Sequence, residues 1–193
     1  MGSPPATPLL VDDRRWWRAQ LQGGRFESPV GFVVGVALFA CGLLGVASAA
    51  VGTIADGRQT VGFLVVGVLW LVLGAGAVHQ CRVPRRLRAA TAFIGVFAIW
   101  ASVIAASTIT YEIVGVFTHL DESLFESVAG FTTTAASVVV EPEALPRSVL
   151  FWRAGTQWLG GLGALLFVVV VLPSIGVGGL DVTDAGHRHR GAS

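Results

Sequence analysis

The sequence predicts an all-α membrane protein with four spans and a short re-entrant element between the third and fourth. Three observations lead there. Only 13% of the 193 residues are charged while 53% are hydrophobic, against about 25% charged in ordinary soluble domains, and the mean hydropathy is +0.72. Four uncharged runs are each long enough to cross a hydrocarbon core about 30 Å thick. Between the last two lies a segment too long and too apolar for a plain loop. So few charges exclude a free-standing soluble enzyme, because the folded surface would lack polar cover. A net charge of +1 and a pI near 7.9 give no reason to expect a nucleic acid. Cys41 and Cys81, far apart in apolar surroundings, have neither metal-site spacing nor disulfide-scaffold density and read as packing residues.

The runs are bounded by ionisable residues. Residues 28–55 lie between Glu27 and Asp56, 59–81 between Arg58 and Arg82, 89–111 between Arg88 and Glu112, and 154–180 between Arg153 and Asp181. The first follows a tail holding Asp12, Asp13, Arg14 and Arg15, which is not the pattern of a cleavable signal peptide. All thirteen basic residues are Arg. Ten fall on one side: Arg14, Arg15, Arg18 and Arg25, then Arg82, Arg85, Arg86 and Arg88, then Arg188 and Arg190. Cytoplasmic loops accumulate such residues, so both termini are expected in the cytoplasm of a multi-pass protein whose surroundings are membrane lipid.

Glycines recur at helical spacing at Gly31, Gly35, Gly42 and Gly45, and again at Gly155, Gly160, Gly161 and Gly163. Small residues let membrane helices approach closely. Trp16 and Trp17 before the first run, and Trp152 and Trp158 near the last, read as interfacial anchors.

Residues 112–153 carry the chemistry. Residues 127–140 form an uncharged stretch of fourteen, a length that suits a re-entrant element better than a full span. Residues 121–129 read as a short amphipathic helix with acids in its first turn, where they favour the positive end of the dipole. Gly130 then ends the helix, and Phe131, Thr132, Thr133, Thr134, Ala135, Ala136 and Ser137 follow. Irregular backbone at membrane depth must be buried in protein or line a watery cavity. A half-helix followed by a Thr-rich extended strand meets that condition when its carbonyls replace an ion's hydration shell, with the negative end of the helix aimed at the cation. Carbonyl and hydroxyl oxygens are hard donors suited to alkali ions.

Six acids, Glu112, Asp121, Glu122, Glu126, Glu141 and Glu143, fall between residues 89 and 146 with no Arg among them. Such charge around a mouth concentrates cations, with Asp121, Glu122 and Glu126 forming an outer vestibule. An outer loop that is acidic only because positive charge is kept from it is the competing reading.

Three segments, residues 121–137, 146–163 and 172–179, closely resemble the membrane subunit of the Trk, Ktr and HKT superfamily of potassium transporters, the TrkH type in particular. The resemblance implies two N-terminal transmembrane helices (29–81) followed by one membrane-pore-membrane repeat (89–179). Within it, 89–117 would be the outer helix, 121–130 the pore helix, 131–136 the filter and 148–173 the inner helix. A cytoplasmic tail (1–28), an Arg-rich loop (82–88) and a second tail (180–193) complete the chain. It implies potassium at Thr132, Thr133, Thr134 and Ala135, and a cytoplasmic nucleotide-binding regulatory subunit of the TrkA type as partner.

Two departures shape the expectation. Proteins of that family carry four such repeats in one chain around one pore. One repeat therefore implies a homotetramer, four identical filters closing one axis; the competing reading is a truncated product, a non-conducting fragment or scaffold subunit of a split transporter. The family pattern also puts Gly where this chain has Ala135. In related plant transporters loss of that glycine goes with sodium transport, so the filter is expected to be sodium-permissive. An enzyme is not expected, since the spans hold no pair of acids, His cluster or nucleophile with a base. His187 and His189 read as a solvated basic tail, His79 as the inner end of the second span, and the glycines at 176–179 as a helix terminator. Arg153 is open to two readings, a contact with the pore-helix acids or snorkelling at the interface.

Overall fold

Long uncharged runs leave the backbone only one way to satisfy its polar groups in lipid, and the chain takes it. The computed structural model describes residues 27–55, 57, 59–82 and 89–171. Among these the chain is helical and forms no strand: α1 is Pro29–Ala55, α2 Thr60–Gln80, α3 Ala89–Val114, α4 Leu120–Phe131 and α5 Arg147–Leu166. A 3-10 turn, Pro142–Ala144, precedes α5, and a π-helical turn, Phe167–Val171, continues it. The expectations for Trp16, Trp17, the arginines at 85–88, the glycines at 176–179 and the histidine tail lie outside the described residues.

Three helices, Pro29–Ala55, Thr60–Gln80 and Ala90–Val114, are long and apolar enough to cross a membrane. The fourth expected span differs from its outline. Its helix begins at Arg147, before the uncharged run 154–180 and one residue from the 148 that the resemblance implies, so two cations ride on its first two turns, and its described part ends at Val171. The third helix stops short of residue 117 because Gly115 adopts φ +70° and its N–H returns to the Tyr111 carbonyl at 3.0 Å, a left-handed helix terminator.

α1 and α2 pack antiparallel along their length, glycine against backbone. A Cβ placed on Gly74 would lie 2.5 Å from the Phe39 nitrogen, and one on Gly42 2.5 Å from the Leu71 nitrogen, so the seam exists only because those positions lack side chains. α3 packs against α1 and α2 and is tied to α2 by a buried hydrogen bond, Trp70 Nε1 donating to Thr110 Oγ1 at 3.1 Å. α5 closes the core with Trp152, which has no exposed surface and meets the Phe63 ring at a centroid distance of 5.8 Å. That corrects the anchor reading for Trp152: an indole packed between helices cannot sit at the lipid headgroups. Trp158, 69% exposed, faces outward. Cys41 is fully buried and Cys81 half-buried, both as free thiols.

Candidate cation-binding segment

The short helix α4 is set between α3 and α5. Its start is capped: Glu122 Oε2 accepts the N–H groups of Thr118 and His119, each at 3.3 Å, half of a capping box. With Asp121, Glu122 places negative charge in the first turn. Ser123 donates to Glu112 Oε1 at 2.5 Å and so fixes α4 to the end of α3.

The helix runs one residue past Gly130, to Phe131. Gly130 is therefore not the terminator expected of it. It is buried in the last turn, where a Cβ would stand 2.6 Å from Thr156 Oγ1 of α5. Termination falls to the next residues. Thr133 N–H bonds the Gly130 carbonyl and Thr134 N–H the Ala129 carbonyl, both at 3.1 Å, with Thr133 at φ 55°. This is the Schellman arrangement, whose left-handed position normally falls to glycine. A β-branched residue there is under strain, about 1–2 kcal/mol.

Ala135 repeats the left-handed turn at φ 60°. Residues that alternate between negative and positive φ can gather successive N–H groups on one side of the segment. The N–H groups of Thr132, Thr133 and Thr134 are held by carbonyls of α4. Thr132 Oγ1 donates to the Val128 carbonyl and lies 2.7 Å from Thr134 Oγ1. Residues 132–138 are exposed. The structure thus places Thr132, Thr133, Thr134 and Ala135 on one exposed, hydroxyl-rich, non-helical segment at the C-terminal end of α4, where oxygen donors of the hard kind that suits alkali cations lie close together. Among the described residues no cluster of three or more His, Cys, Asp or Glu side chains is placed to hold a metal ion.

The three vestibule acids do not stay together. Asp121 is exposed and Glu122 half-buried at the helix start. Glu126 is only 3% exposed and pairs with Arg153, Nη1 to Oε2 at 2.8 Å. Its charge is neutralised within the protein, so it adds no free negative charge to a mouth. Of the two readings of Arg153, the contact with a pore-helix acid is the one found. Sequence reasoning missed what the pair holds: Glu126 Oε1 accepts from Ser137 Oγ at 2.5 Å and from the Val138 N–H at 2.8 Å. The signal was present in Ser137, a hydroxyl just past the Thr run.

Three helices long and apolar enough to cross a membrane, with a short helix that ends in a strained, hydroxyl-rich segment, define a helical membrane protein. Residues 61–189 match the family model TrkH, described as a cation transport protein. The chain belongs to the TrkH family. It is 35% identical to the Trk system potassium uptake protein TrkG of Escherichia coli K12 over 120 residues, 61% of this chain and 24% of that protein. It is 31% identical to the Trk system potassium uptake protein TrkH of Vibrio parahaemolyticus over 134 residues, 66% of this chain and 27% of that one. An uncharacterized cation transporter of Methanocaldococcus jannaschii is 31% identical over 116 residues. These relatives are transporters, not enzymes, and the chain spans about a quarter of their length.

Proposed function

We propose that the chain conducts potassium across the plasma membrane through the strand Thr132–Ala135, with sodium admitted as well. The observation that carries this reading is the pair of left-handed residues, Thr133 and Ala135, in an exposed strand at the C-terminal end of a half-helix. Strain at such positions persists where the fold over-determines it and clusters at functional sites. Aligned carbonyls replace the water around a dehydrated cation, and the half-helix C-terminus supplies negative potential. The relatives' names, potassium uptake proteins, support potassium as the transported ion. The absence of a glycine at 135 supports the relaxed preference, since a Cβ limits how the strand adapts to ion size.

One strand cannot surround an ion. In this reading four copies of the chain place four strands around one axis, with α1 and α2 outside and the repeat 89–179 inside, both termini cytoplasmic. A cytoplasmic nucleotide-binding subunit of the TrkA type would gate it. Expression in a potassium-uptake-deficient bacterium tests the function. The wild type restores growth at low potassium, Ala135→Gly restores it with less sodium inhibition, and Thr133→Asp abolishes it. Growth indifferent to both substitutions overturns the assigned site, and no growth with folded wild type in the membrane overturns conduction.

A further inference from the structure

We propose that Glu126, Arg153 and Ser137 form a latch that sets the geometry of the ion-binding strand and thereby its preference among alkali cations. The inference rests on the conducting role given to Thr132–Ala135. The strand leaves α4 at Thr132 and is caught again at Ser137, so it is held at both ends. At the first end the helix cap fixes Thr133. At the second, three chain segments meet in one closed set of bonds. Ser137 Oγ donates to Glu126 Oε1 at 2.5 Å and accepts from Arg153 Nη2 at 2.9 Å and from the Val139 N–H at 3.0 Å. Glu126 Oε1 also takes the Val138 N–H, while Oε2 faces Arg153 Nη1 at 2.8 Å.

Stability alone does not account for such a group. A buried ion pair often does no better than well-packed apolar residues of the same size, because desolvation offsets the attraction. It does fix direction, since charge-assisted bonds are short and tolerate little displacement. Ala135 adopts its left-handed turn two residues before Ser137, and the helix cap does not reach it. The bonds that follow it in the chain are those of Ser137 and Val138 to Glu126 and Arg153. Glu126 and Arg153 are therefore positioning residues, acting on the ion through the strand.

Tracer rubidium uptake, with sodium as competitor, tests this on the full chain in cells, normalised to folded protein in the membrane. Glu126→Gln and Arg153→Gln are each expected to change the rubidium-to-sodium preference about tenfold, the effect of losing one charge-assisted hydrogen bond. The double variant is expected to be no worse than either single, since the two act as a unit. Ser137→Ala keeps the ion pair and the Val138 N–H bond to Glu126 but removes the hydroxyl that joins both charged partners to the segment, and is expected to shift the preference in the same direction without loss of folded protein. It is the decisive variant if the charge substitutions do not fold. A purely structural staple would lower uptake in proportion to folded protein and leave the preference unchanged. That result for Ser137→Ala overturns the latch while conduction stands; a folded wild type with no uptake overturns both.

Discussion

Gly160 of α5 lies directly against the Phe131 carbonyl that ends α4: a Cβ at Gly160 would fall on the carbonyl oxygen, 2.0 Å away. No side-chain rotation relieves that clash, because both partners are backbone. The last turn of α4 and the middle of α5 are therefore seated on one another immediately before Thr132.

Gly160→Ala is expected to lower stability by about 2–3 kcal/mol, the upper range for overpacking a close contact, and to lose most transport. Thermal unfolding in detergent and tracer uptake check the two effects. Gly76→Ala is the control, since a Cβ there meets nothing within 4 Å.

The strained positions give the opposite sign. Ala135→Gly removes a left-handed penalty of about 1 kcal/mol, less what glycine adds to the freedom of the unfolded chain. Its thermal midpoint is expected to equal or exceed that of the wild type. Ala135→Val, a β-branched residue at the same φ, is expected to be the least stable of the three.

Trp70→Phe removes the bond to Thr110 that ties α2 to α3 and is expected to cost about 0.6–1 kcal/mol, the usual worth of one such bond between membrane helices. Thr110→Val is expected to cost a similar amount, and the double variant no more than either single by much. Unfolding midpoints in detergent measure all three.

Trp152→Ala is expected to cost about 3–5 kcal/mol through the cavity it opens against Phe63, enough to deplete folded protein in the membrane. Trp152→Phe keeps the ring packing and is expected to retain most of it. Protease resistance of membrane-inserted protein reads the difference.

Much of this fold was legible in the charges. Glu27, Arg58, Arg82 and Arg88 bounded three spans within a few residues, because an ionisable side chain in hydrocarbon is costly. The half-helix was legible too, from Asp121 and Glu122 placed in its first turn. Endings were not. Gly130 looked like a terminator on its own, and only the approach of Thr156 from α5 explains why it is needed for packing while Thr133 takes the left-handed turn. Trp152 carried the same ambiguity, since an indole serves a core or an interface equally until its neighbours are known. The Thr132–Ala135 run stood out by composition, whereas its link to Arg153 joins residues sixteen apart and depends on where α5 begins.

The central claim is that cations pass along Thr132–Ala135. Tracer rubidium flux into liposomes holding the purified chain tests it most directly. The account predicts flux that excess potassium suppresses and that Thr133→Asp abolishes while the protein stays folded. Folded protein without flux, or flux unaffected by an aspartate at 133, would contradict it.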